Sequence, residues 1–198
     1  YCITRTDDGS DPSCSLSQGD FVITEMLNEV GDLAPDVGPF VELKNVTADP
    51  LTLDTSHKLS VTGIDCALNA YPGTSQTVPA GGYMYVTTVD DPNKTNDFEC
   101  PALVNGFDLG QPVALVTDSG IIDSVDFSGL SVPTTHSIQL RANTAWETSA
   151  ANDDLGNGWC VSLDSYGTWG EANNACDEFR LNEVRFLPSN STRDGQVY

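Results

Sequence analysis

Basic residues are scarce in this chain: 8 Lys and Arg stand against 29 Asp and Glu in 198 residues, a formal charge of −21. A surface of that sign repels phosphate backbones, so nucleic acid is excluded as a partner. Anionic membranes are poor partners for the same reason. No apolar run approaches the ~20 residues that a spanning helix needs, so no membrane insertion is expected. Histidine occurs only twice and no cysteine pair has C-x-x-C spacing, which argues against zinc sites and thioredoxin-type redox chemistry. Aromatic residues make up 8% of the chain, and no long segment carries a helical period.

The chain is rich instead in Gly, Pro, Thr, Ser, Asp and Asn. That mixture suits short strands joined by many turns. Its length is enough for one sizeable domain that buries about 70% of the unfolded surface. The acidic excess has two readings, solubility in a salty medium or capture of calcium by clustered carboxylates.

Six cysteines, an even number, point to an oxidising compartment. Pairing them in sequence order gives the simplest connectivity: Cys2–Cys14, Cys66–Cys100 and Cys160–Cys176. Loops this short contribute on the order of 3 kcal/mol each in the chain-entropy account.

Apolar–polar alternation marks "FVITEM" (21–26), "FVELKN" (40–45), "YMYVTT" (83–88), "VALVTD" (113–118) and "SIQLRA" (137–142). Each stretch is bounded by Gly, Pro, Asp or Asn. Strands are expected near 21–26, 40–45, 83–88, 113–117, 121–127 and 137–141, forming an all-β, antiparallel sandwich. Inward positions should include Val22 or Ile23 and Val41 or Leu43. Asp118, Ser119 and Gly120 read as a hairpin turn, and Gly81-Gly82 supplies the unusual backbone angles of another. Pro112 opens a strand without needing the missing donor.

The two ends of the chain align with each other at a period of about 158 residues. Tyr1-Cys2-Ile3-Thr4 falls on Trp159-Cys160-Val161-Ser162, Gly9 on Gly167, and "FVITEM" on "FRLNEV" (179–184), with Glu25 on Glu183. Cys14 and Cys176 are out of step by four residues. The pattern, a cysteine-bearing tail running into a first strand, carries more weight than the few identities. It divides the chain into 1–19, the tail of a preceding repeat; 20–177, one complete domain; and 178–198, the first strand and loop of a following repeat.

The central stretch resembles the lamin tail domain family, on motifs that come in that family's order. These are "FVITEM" with Glu25, "FVELKN" with Glu42 and Asn45, "LTLDTSHKL", "VPAGGYMYV", "DLGQPVALVTDSGIIDSVDF" with Asp118, Gly120 and Asp123, "SIQLRA", "DLGNGWC" and the closing "GTWGEANNAC". Trp169 stands where the family's tail usually has Pro, and "GQP" (110–112) replaces a more usual Gly-Asp turn. The resemblance implies an immunoglobulin-like sandwich used for structure, adhesion or display, often attached to other secreted domains, without a catalytic apparatus.

Few residues invite chemistry. His136-Ser137 borders a strand, but there is no G-x-S-x-G elbow, and a Thr-rich loop accounts for His136. His57 in "TSHKL" reads as an exposed loop or strand edge. Asp90, Asp91 and Asp97, and Asp153 with Asp154, are the local calcium candidates, since hard cations favour oxygen-rich loops. Solvated turns use the same residues, and the D-x-[DN]-x-[DN]-G spacing is absent. Sequons at Asn45, Asn93 and Asn190 are candidate glycosylation sites in a source with the machinery.

These features point to a non-enzymatic structural repeat of an extracellular fibre or large cell-surface protein. Its partners would be copies of itself or adjacent repeats, joined by tandem continuity or strand exchange. No cofactor is implied beyond calcium. The alternatives are a calcium- or glycan-dependent adhesion module and an accessory domain of a secreted hydrolase.

Overall fold

The computed structural model describes residues 16–28, 38–61, 63–70, 75–88, 97–101, 103, 106, 110–128, 136–141, 158–165, 167, 168, 170–174 and 176. Thirteen strands follow one another in these residues, with no α-helix between them and a 3-10 turn at Pro101 and Leu103. They are β1 (Phe21–Leu27), β2 (Phe40–Asn45), β3 (Leu51–Asp54), β4 (Lys58–Val61), β5 (Ile64–Ala67), β6 (Asn69–Ala70) and β7 (Ser75–Val78). After them come β8 (Tyr83–Thr87), β9 (Asp97–Glu99), β10 (Val113–Thr117), β11 (Gly120–Val125), β12 (His136–Leu140) and β13 (Trp159–Ser165).

Seven strands form one sheet in the order β13-β12-β1-β2-β8-β9-β6, and four form a second in the order β11-β10-β4-β5. The pair β3-β7 makes a separate ribbon. All pairings are antiparallel except β8 with β9, which run parallel. The expected all-β sandwich is therefore present, with one parallel contact that alternation did not foretell.

The two sheets enclose one apolar cluster that includes Ile23, Met26, Val41, Leu43, Leu59, Leu115, Phe98 and Ile138. Phe127 meets Trp159 edge-on within it, ring centroids 5.0 Å apart and planes 80° from parallel. That geometry is the favoured one for aromatic pairs. The Cys66–Cys100 disulfide joins β5, at one edge of the four-stranded sheet, to the residue after β9 in the larger sheet. It staples the layers covalently, as sequential pairing predicted.

Two further ties cross the fold. The Ile23 amide donates to Asp123 Oδ2 at 2.7 Å, which joins β1 to the β10–β11 hairpin. Asn45, fully buried at the end of β2, donates from Nδ2 to the carbonyls of Asp49 (2.9 Å), Val78 (3.1 Å) and Pro79 (3.0 Å). Its Oδ1 accepts from the Thr47 amide and hydroxyl. Gly81, at φ 69°, makes the turn that brings the Pro79 carbonyl there, in a region open mainly to glycine.

The expected inward choices, Val22 or Ile23 and Val41 or Leu43, turn out to include four residues with no exposure at all. Every position of β1 is buried. A strand buried throughout must be covered on both faces, and what covers the second face is the functional question.

Candidate functional site

Residues 167, 168, 170–174 and 176 lie over the outer face of the large sheet at β12, β1, β2 and β8, and the local cause lies in β1. Ile23 pairs with Leu43 but Glu25 pairs with Glu42, so Thr24 is the extra residue of a β-bulge. The bulge sets Glu25 and Glu42 directly opposite each other, in a row with Tyr85 of β8. Leu27 and Phe40 form the next row, and with Tyr85 they make a small apolar cluster separate from the main core. Both glutamates are 0% exposed.

Two like charges directly opposite on neighbouring strands are unfavourable, and burying a carboxylate costs several kcal/mol unless donors surround it. Donors do surround these two. Glu25 accepts from the Ser137 hydroxyl of β12, from the Thr168 hydroxyl at 2.7 Å and from the Thr168 amide at 3.1 and 3.2 Å. Glu42 accepts from the Thr24 hydroxyl and from the Gly170 amide, both at 2.7 Å. Each glutamate thus takes at least one donor from its own sheet and one from the docked segment.

The segment is shaped to come this close. Gly167 has φ 89°, and a β-carbon there would lie 2.6 Å from Glu25 Oε1 and 2.8 Å from the Phe40 ring. No other residue fits without displacing one of them. Beyond Gly170, Asn173 donates from Nδ2 to the carbonyls of Thr24 (3.0 Å) and Leu140 (2.9 Å), so it serves the bulge directly. Gln139 donates to the Asn174 carbonyl and Oδ1, at 2.8 and 2.9 Å, and Ser162 donates to the same Oδ1 at 3.2 Å. Asn174 in turn donates to Asp164. The Cys160–Cys176 disulfide and a Ser162–Cys176 bridge return the segment to β13. The result is a clasp: two buried carboxylates hold a loop that folds back over its own sheet.

Burial pushes the Glu25 carboxyl above its ordinary range, outweighing the downward pull of the Ser137 and Thr168 donors, and Asp164 adds a like-charge push upward. Its hydrogen-bonding neighbours are hydroxyls and an amide, with no lysine or arginine among them. The clasp has the form of a structural joint, in which Glu25, Glu42, Thr168, Asn173 and Asn174 all hold chain to chain.

The other sequence candidates fare differently. Ser137 is fully buried, and its hydroxyl serves Glu25. His57 is not an exposed loop residue, as expected, but 8% exposed in the β3–β4 turn. Its Nδ1 lies 3.0 Å from Asp54 Oδ1, while its carbonyl accepts from the Leu68 amide. The Ser56 hydroxyl, followed by the Ser56 amide and His57, holds the Asp54 carboxyl below its usual value.

Of the calcium candidates, Asp97 lies on β9, whereas Asp90, Asp91, Asp153 and Asp154 fall outside the described residues. Among the described residues no group of three or more His, Cys, Asp or Glu is placed to hold a metal ion. The carboxamide of Asn45, the sequon candidate among the described residues, lies inside the fold. A carboxamide with no exposure that bonds three carbonyls offers no nitrogen to a sugar in the folded protein. Asn93 and Asn190 lie outside the described residues, as do Cys2 and Cys14, segment 1–15 and segment 178–198.

Sequence reasoning marked Glu25 and Glu42 through the resemblance but gave them no role, weighed Ser137 only as a catalytic candidate, and missed Thr24, Gln139 and Asn173. The only signal for the clasp was the glycine- and asparagine-bearing tail "GTWGEANNAC" beside two strand glutamates. No family model, curated protein or solved structure matches this chain.

Proposed function

We propose that this chain is a non-enzymatic structural module of an extracellular fibre or large cell-surface protein, of the lamin tail domain type and repeated in tandem. The observation that carries the reading is the clasp. Glu25, Glu42, Asn173 and the Cys160–Cys176 disulfide are all spent on closing the end of the sandwich over its own sheet. Two disulfides are typical of proteins matured in an oxidising compartment, which supports an extracellular setting. The same order of tail cysteine, glycine and first-strand glutamate recurs at both ends of the sequence, which supports an array.

Cohesion between bare acidic copies is weak, because like charges repel over about 8 Å at physiological salt. Covalent continuity along the chain, or exchange of strands between neighbours, supplies it instead.

Sequencing the transcript on both sides of this segment tests the reading. Further copies of the pattern on either side are the expected result. Flanks that encode a hydrolase and no second copy would replace the module by an accessory domain.

A further inference from the structure

We propose that the clasp is a proton-linked device: docking of Gly167, Thr168 and residues 170–174 over Glu25 and Glu42 takes up a proton, so acid tightens the clasp and alkali loosens it. The geometry is the ground for this. Glu25 and Glu42 stand opposite each other on adjacent strands, both without exposure. Among the described residues, the groups that face Glu25 are Ser137 from β12, Thr168 from the docked segment, Glu42 from β2 and Asp164 from β13. The charged groups in that set are acids. Glu171, next to Gly170, is exposed, and His136 precedes Ser137 on β12.

The docked segment lies close over the Glu25 carboxyl: a β-carbon at Gly167 would stand 2.6 Å from its Oε1, and Thr168 bonds it. Lifting the segment rehydrates the carboxylate and removes the cost of its charge. Docking also brings the Thr168 donors, which favour the charged form, but burial is the larger effect, so docking and ionisation of Glu25 oppose each other. The upward displacement of the Glu25 carboxyl from 4.5 has the same direction.

The sign follows from linkage. A carboxyl raised in the docked state binds its proton there at pH values where the undocked state has released it. The stabilisation is full below the unfolded value of 4.5 and is lost as pH rises through the raised value. One linked proton limits the change to about tenfold per pH unit.

Amide exchange of the oxidised 198-residue chain, corrected at each pH for the intrinsic exchange rate, tests the proposal. The Thr168 and Gly170 amides should lose protection as pH rises above 4.5, by up to about tenfold per unit, while amides of β4 and β10 hold theirs. Glu25→Gln should flatten that dependence, and Asp54→Asn should leave it unchanged. Constant protection of Thr168 and Gly170 in the natural chain, or an equal slope in Glu25→Gln, overturns the proposal. Where Glu25→Gln releases the segment altogether, the carboxyl carbon of Glu25 in the natural chain decides by NMR. A titration midpoint above 4.5 supports the proposal, and one at or below it overturns it.

Discussion

The strip β1–β2–β8 has two faces that solve burial in opposite ways. Its inner rows, Ile23–Leu43–Met84 and Met26–Val41–Val86, are apolar and pack into the main core. Its outer rows, Glu25–Glu42–Tyr85 and Leu27–Phe40, are also buried, but they include two carboxylates whose donors come partly from the sheet and partly from a returning segment. The inner face gains stability from apolar area, which is non-directional and tolerates swaps of similar volume. The outer face gains little net stability per hydrogen bond, yet a missing partner is costly, so it specifies one conformation of the segment.

Truncating the inner face should have the largest effect. Leu43→Ala should lower unfolding free energy by about 2–5 kcal/mol, read by denaturant titration, because it opens a cavity at the centre of the core. Next comes the link behind the outer face. Replacing both Cys160 and Cys176 with Ser should cost about 3 kcal/mol by loop-closure entropy, with the loss concentrated in protection of the Thr168 and Gly170 amides. A loss spread evenly over both faces would erase the distinction drawn between them.

Asn173→Ala should follow, at about 1–3 kcal/mol for the buried carbonyls of Thr24 and Leu140 left without its donor. A calorimetric melt measures it. If it exceeds Leu43→Ala, the outer face is the stronger one.

Asp54 gives a smaller effect of the opposite sign to Glu25. Its carboxyl is held down mainly by Ser56, so its contribution is present above 3.8 and is lost as pH falls through the lowered value. Ser56→Ala should shift that acid limb toward higher pH in a pH–stability profile. The smallest effect is none at all: peptide mapping of chain made in a glycosylating host should find Asn45 bare, because its carboxamide is bonded inside.

The sequence made the inner face legible and left the outer one dark. β1, β2, β8, β10, β11 and β12 fall within two residues of their expected ends, because Phe21–Leu27, Val113–Thr117 and their like alternate or carry long apolar runs. β7, with Ser75, Gln76 and Thr77, has no such pattern, and only its place beside Leu51–Asp54 makes it a strand. The pairs Cys66–Cys100 and Cys160–Cys176 follow from adjacency in sequence. The clasp does not. It depends on the bulge at Thr24 and on main-chain amides of Thr168 and Gly170, which any sequence possesses and no side chain advertises. The burial of His57 was hidden for a similar reason: its neighbours Asp54 and Ser56 are polar and open to solvent, while its own carbonyl accepts from the Leu68 amide, which follows β5.

Synthesis from the N-terminus gives the bulged first strand a particular problem. β1 leaves the ribosome early, yet Ser137 is 112 residues away from Glu25 and Thr168 is 143 away. At about 5–20 residues per second, roughly ten seconds pass before its last partners exist. Through that interval a strand destined for the middle of a sheet waits with one neighbour, β2, and an open edge. Glu25 on this strand and Glu42 on its neighbour are then in water, acidic side chains that guard against pairing with other nascent chains. The groups that lock the finished module would thus also keep its unfinished form apart from its neighbours.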